Sequence, residues 1–256
     1  MSKEPTSDDD FSSTIKLIKE YQESVKKSIG DDFSEGKVRN LMEQAIDPDF
    51  NVSFNAKQVL KGMGANILPT LVRFLDEEQG DPVRIVILET FGNLGDKASF
   101  VVPILIKMIE EDNNERIRSI SIGVLNAIIK ETEYIIPIFL RALKNDTDSE
   151  VQRNAEFCLI RRAKESGHEN INDLVKSLYP DSSEDYLASA PIEILIARFV
   201  AKGDEYFGDG KVPVEDLTMA EKFFSWAIRL NPGPLKEWIE PRLLFIYDKV
   251  GIKKRK

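Results

Sequence analysis

The chain has one cysteine, Cys158, and one histidine, His168, in 256 residues. A single thiol excludes an internal disulfide and any multi-cysteine zinc site. A single imidazole removes most other metal chemistry, because one ring cannot organise a multinuclear centre. No cofactor is expected. No run of apolar residues is long enough to span a bilayer. Nor does the N-terminus have the basic-then-apolar order of a signal peptide. Met1 to Asp10 is polar and acidic, so a cytoplasmic, reduced protein is expected. Net positive charge is also lacking. At −9, the chain as a whole repels nucleic acid and anionic lipid. Gly62-Met63-Gly64 and Gly208-Asp209-Gly210 follow no strand and lack the rest of a phosphate-binding fingerprint, so they read as turns.

What is present is repetition. Ile67-Leu68-Pro69-Thr70-Leu71-Val72-Arg73-Phe74-Leu75 returns as Val101-Val102-Pro103-Ile104-Leu105-Ile106-Lys107-Met108-Ile109. It returns again as Ile135-Ile136-Pro137-Ile138-Phe139-Leu140-Arg141-Ala142-Leu143. The prolines stand 34 residues apart both times (103 − 69 and 137 − 103). Val83-Arg84, Ile117-Arg118 and Val151-Gln152 keep the same step. A fixed period of this size marks stacked helical units, each burying its apolar face on its neighbours.

The pattern predicts an all-α chain. Residues 1–10 form an acidic tail with nothing to bury. Residues 11–47 supply capping helices. The first spans 12–29 with Ile15, Ile18, Val25 and Ile29 on one stripe. The second starts at the cap Ser34 with Val38, Leu41, Met42 and Ala45 facing inward. Repeats fill 48–180. Helices are predicted at 52–63, then in pairs at 66–79 and 82–94, 98–111 and 115–130, and 133–144 and 149–164, with a weaker unit at 171–178. Each proline is placed in a first turn, where its missing N–H costs nothing. A strand reading of Val83 to Leu88 fails, because helical spacing continues through Phe91 and Leu94. Residues 181–190 form a polar hinge. Residues 191–251 form a C-terminal helical region, with helices at about 191–207, around Ala220 to Leu230, and from Trp238 to Val250. Residues 252–256 are a basic tail, read as solubilising.

A proline early in the first helix, an acidic turn, then Val-Arg opening the second resembles the HEAT repeat, an armadillo-type solenoid. The resemblance covers roughly 48–180 and implies a right-handed α-α superhelix. The period is shorter than the usual 40–47 or so and equals that of the tetratricopeptide repeat. Tetratricopeptide units, however, end on proline, whereas proline here begins the first helix. The family's turn-acid to arginine ladder would place Asp112 with Arg118 and Glu78 with Arg84. Asp146 faces Gln152, which neutralises that rung. Near the C-terminus, Ala220-x3-Phe224-x2-Ala227-x4-Pro232 resembles the second helix of a tetratricopeptide repeat.

Within the family, some enzymes bind two irons with repeated His-Glu pairs. His168-Glu169 stands alone and reads as a solvated loop residue. HEAT-like lyases that attach bilins are another enzymatic relative, but no catalytic residue set is identifiable. Cys158, within Phe157-Cys158-Leu159-Ile160, reads as a small core residue. The expected function is a non-catalytic protein–protein interaction scaffold. The alternatives are a HEAT-like lyase or enzyme-maturation factor, and a nucleic-acid-binding HEAT protein. The register aligns two charged columns as candidate partner-binding positions: basic Arg73, Lys107, Arg141 and Lys176, and acidic Glu110, Glu111, Asp112 and Asp146. The basic column has a plain reading as a solvated outer stripe, and the acidic rim one as helix capping. The expected partner is another protein, engaged through a basic segment. Membrane, nucleic acid and small-molecule partners are not expected.

Overall fold

A computed structural model of the chain describes residues 34–77, 80–189, 192–208, 210, 212–230 and 232–250. The helix expected at 12–29, both terminal tails and Glu78 lie outside those residues. The described residues form thirteen α-helices and no strand. They divide into two compact units, with the boundary between Val101 and Val102.

In the first unit, α1 (Glu35–Ala45) starts where the Ser34 hydroxyl accepts from the Lys37 amide at 3.4 Å. It buries Val38, Leu41, Met42 and Ala45, the stripe read from sequence. α2 (Phe50–Met63) begins two residues ahead of expectation, because Asp49 caps it through the Asn51 amide at 2.8 Å. At Gly64, φ of 67° ends α2, and a 3-10 turn over Gly64–Ile67 leads into α3 (Leu68–Asp76) with Pro69 in its first turn. α4 (Asp81–Leu94) buries Val86, Ile87, Leu88, Phe91 and Leu94. It packs on α1, α2 and α3. Gly95, with φ of 57°, opens a second 3-10 turn that ends at Val101.

The second unit starts with two helical hairpins. α5 (Val102–Glu111) pairs with α6 (Glu115–Ile128), and α7 (Thr132–Asn145) pairs with α8 (Ser149–Glu165). Across the hairpins α5 meets α7 and α6 meets α8, so like helix lies on like. α9 (Ile171–Leu178) follows on α8. The stretch read as a hinge carries a short helix, α10 (Glu184–Ser189), lying on α7. Leu187 and Ala188 are buried there, and Asn145 donates to the Ala188 carbonyl at 3.1 Å. Two apolar residues in a polar segment suffice to dock it.

The chain then turns back on itself. α11 (Ile192–Phe207) packs on α7, and α12 (Val214–Leu230) packs on α5. The first-helix face of this unit is therefore covered by the chain's own later helices. Tyr134 of α7 meets Phe199 of α11 and Phe223 of α12 at 5.3 and 5.2 Å between ring centres, and Trp226 closes the cluster. α11 and α12 approach closely, because a Cβ at Gly203 would lie 2.5 Å from the Phe224 ring. Ala220 and Ala227 are fully buried. α13 (Pro232–Val250) starts at Pro232 rather than Trp238, its proline being tolerated at the first position.

The third proline departs from expectation. Pro69 and Pro103 lie in first turns, but Pro137 lies inside α7. No glycine separates α6 from α7, so no 3-10 turn forms there and α7 begins a turn early. Pro137 has no N–H to give to the Glu133 carbonyl. The Tyr179 hydroxyl, just beyond α9, donates to that carbonyl instead. Tyr179 is buried, and burial pushes its pKa up to about 12.

Two outcomes check this account. Leu105→Ala removes a fully buried side chain and should cost about 2–5 kcal/mol in chemical denaturation. Tyr179→Phe keeps the packing but orphans a carbonyl, and should cost about 1–3 kcal/mol. An unchanged midpoint for Tyr179→Phe would show that water serves the Glu133 carbonyl equally well.

Candidate interaction surface

The turns between the first and second helix of each hairpin are built alike. Asp112 accepts from the Asn114 amide at 3.0 Å, and Asn114 caps α6 through the Arg116 and Ile117 amides. Thirty-four residues on, Asp146 accepts from the Asp148 amide at 2.9 Å, and Asp148 caps α8 through the Glu150 and Val151 amides. A capping role thus accounts for part of the acidic rim, and the caps proper are Asn114 and Asp148.

The charged rung runs between hairpins, not within one. Arg118 donates through Nε and Nη2 to the Asp146 carboxylate, both at 2.8 Å, and through Nη1 to the Asp112 carbonyl at 2.9 Å. The expected pairing of the Arg118 and Asp112 side chains is replaced by a side-chain-to-carbonyl bond. Gln152 makes the equivalent bond to the Asp146 carbonyl at 2.6 Å. An amide replaces guanidinium there because only the carbonyl needs a donor. Arg118 lowers the Asp146 pKa by direct hydrogen bonding. In the first unit Arg84 pairs with Asp81 at 3.1 Å.

The basic column is not a uniform solvated stripe. Arg73 is held by Glu35 and Glu77 in the first unit. In the second, Arg141 pairs with Glu110 at 2.9 Å. Lys107 and Arg141 line a recess of about 270 Å³ with Glu110, Glu111, Ile192 and Leu230. The last two residues come from the helices that turn back. Glu110 keeps 27% of its side-chain surface, and loss of bulk water in the recess raises its pKa against the pull of Arg141. Lys176 is exposed. The structure thus joins Lys107, Glu110, Glu111 and Arg141, joins Asp112 and Asp146 through Arg118, and leaves Lys176 apart.

Sequence reasoning missed Arg162. It is buried, and donates to Asn126 Oδ1 at 2.7 Å and to the carbonyls of Asn126, Ile129 and Lys130. α6 ends without a left-handed glycine, and Arg162 takes the carbonyls such a cap would have paired. Its signal was visible: it stands four residues after Cys158 and seven after Ala155, on the buried stripe of α8. Cys158 is buried and burial raises its pKa, which fits a core thiol. His168 follows Gly167 (φ 78°), and its amide closes the end of α8 on the Ala163 carbonyl at 2.8 Å.

No family model, curated protein or solved structure matches this chain. Among the described residues, no three His, Cys, Asp or Glu groups are placed to hold a metal ion, and no helix is long and apolar enough to cross a membrane.

The Asp146 shift has a signed consequence. A carboxylate whose folded pKa lies below its unfolded value of about 3.9 stabilises above that value and loses the contribution as pH falls through the folded one. Asp146→Asn should therefore lower stability at pH 7 and flatten its decline below about pH 4. A double-mutant cycle with Arg118→Met should give coupling on the order of 1–3 kcal/mol. Coupling near zero would reduce the rung to a surface pair.

Proposed function

We propose that this protein is a non-catalytic protein–protein interaction scaffold, built from HEAT-like hairpins in a superhelical stack with a tetratricopeptide-like end. Its acidic turn edge takes a basic segment of its partner. One observation supports this most. Arg118 ties the two turns of the second unit together, and exposed carboxylates at Glu111, Glu115 and Glu150 flank that tie without ion pairs among the described residues. The turn backbone is held from within, so these carboxylates are displayed on a fixed frame. Rigid display lowers the ordering cost of binding. Glu110, Asp112 and Asp146 serve the frame itself, through Arg141, the α6 cap and Arg118.

The test is charge reversal on the display residues alone. Glu111→Lys with Glu115→Lys and Glu150→Lys should weaken binding of a labelled lysine-rich decapeptide by about tenfold at low salt, because complementary charge sets encounter and register. Affinity should fall as salt rises, and thermal unfolding should stay unchanged. Equal binding by wild type and triple variant would remove the acidic edge from the reading. Where the variant binds less, affinity capture with wild type and variant as paired baits identifies proteins that depend on the edge.

A further inference from the structure

α2 is anomalous for a settled helix. It is capped by Asp49 and packed on α1 and α4, yet it carries a bare aromatic pair. Phe50 is 75% exposed and Phe54 48%, with their rings stacked 5.8 Å apart. Ile46, four residues before Phe50, is 42% exposed. Phe50 and Phe54, one turn apart on α2, form an apolar ridge in water, with Ile46 exposed at the end of α1 just before it in the chain, and apolar surface of this kind marks a contact. The polar side of α2, Asn51, Asn55 and Gln58, faces elsewhere.

The same unit contains a complementary stretch of sequence. Phe11, Ile15, Ile18, Val25 and Ile29 fall on one quarter of a helical projection, and Lys16, Lys19, Lys26 and Lys27 lie on the rest. Gly30 closes the pattern, and Gly30 to Phe33 joins it to Ser34, the cap of α1. Four residues is an ordinary connection between antiparallel helices. A helix from Ile15 to Ile29 reaches about 21 Å and can pass back alongside α1 to its far end, where Ile46 and Phe50 lie. Glu43, Asp47 and Asp49, at the end of α1 and in the turn leading to Phe50, are exposed, a match in charge for the four lysines.

We propose that residues 11–29 are the occupant of the Phe50–Phe54 ridge, laid on it by their own apolar stripe. The chain covers the ridge intramolecularly. A four-residue tether holds the stripe at an effective concentration no free partner matches. This inference concerns the first unit and is independent of the acidic edge in the second.

The test uses the full chain, an apolar-surface dye (anilinonaphthalene sulfonate) and molar mass by light scattering over a range of concentrations. Wild type should be monomeric with low dye fluorescence. Ile15→Asp with Ile18→Asp should raise the fluorescence several-fold while the thermal transition of the helical units stays. Adding Phe50→Ser and Phe54→Ser should return the signal to baseline, which ties the uncovered surface to the ridge. A concentration-dependent dimer that Phe50→Ser with Phe54→Ser dissociates would overturn the proposal in favour of a second copy. High wild-type fluorescence, unaltered by the Ile15 and Ile18 changes, would overturn it in favour of a separate partner. A dye rise that the phenylalanine changes do not reverse would place the exposed surface elsewhere and overturn it as well.

Discussion

Backbone carbonyls at helix ends need donors, and much of the second unit is arranged to supply them. A helix leaves its last carbonyls without partners, and burying one without a donor costs more than a made bond contributes. Here the donors are side chains that lie later in the chain, in the same hairpin or in the next. Arg162 of α8 closes the end of α6, Gln152 and Arg118 hold the turn carbonyls, and Tyr179 answers the vacancy that Pro137 creates in α7. Asn154 adds a bond from α8 to the Ser119 carbonyl inside α6. Apolar burial brings the helices together without fixing their rotation or slide. The directed bonds to carbonyls fix both.

The elements were largely legible in the sequence, because two local signals agree there. Caps such as Ser34, and prolines such as Pro69 and Pro103, mark starts, and the spacing of Val38, Leu41, Met42 and Ala45 marks the buried face. Where a local signal was absent, the reading slipped. The start of α7 lacks a glycine before it, so its proline was placed a turn too early in the helix. The hinge reading of 181–190 counted polar residues and passed over Leu187 and Ala188. The return of α11 and α12 onto α7 and α5 has no local signature. It depends on Phe199, Phe223 and Trp226 meeting Tyr134, a contact between residues far apart in the chain.

The charged columns illustrate the same division. Register put Lys107 and Arg141 in one column and Glu110 and Glu111 in another, since a period fixes which residues share a row, and the structure brings all four to one recess. Whether a row meets water depends on what packs over it, and the period is silent about that. Ile192 and Leu230 turn part of the expected outer stripe into the wall of a recess. The rung was misassigned for a related reason. A spacing of six brought Arg118 to the Asp112 turn, but the guanidinium fork reached onward to the Asp146 carboxylate, where two parallel bonds are available.

The carbonyl bonds of the second unit also have a direction. In most cases the donor lies later in the chain than the acceptor: Arg162 after Ile129, Gln152 after Asp146, Tyr179 after Glu133, with Asn145 to the Ala188 carbonyl running the other way. The two ends of the unit are therefore not equivalent. Trimming from its start removes acceptors and leaves donors, which can turn to water when exposed. Trimming from its end strips donors from carbonyls already enclosed by neighbours. Arg162 and Asn154 of the second hairpin complete carbonyls of the first, so the first hairpin depends on the second for its hydrogen bonding.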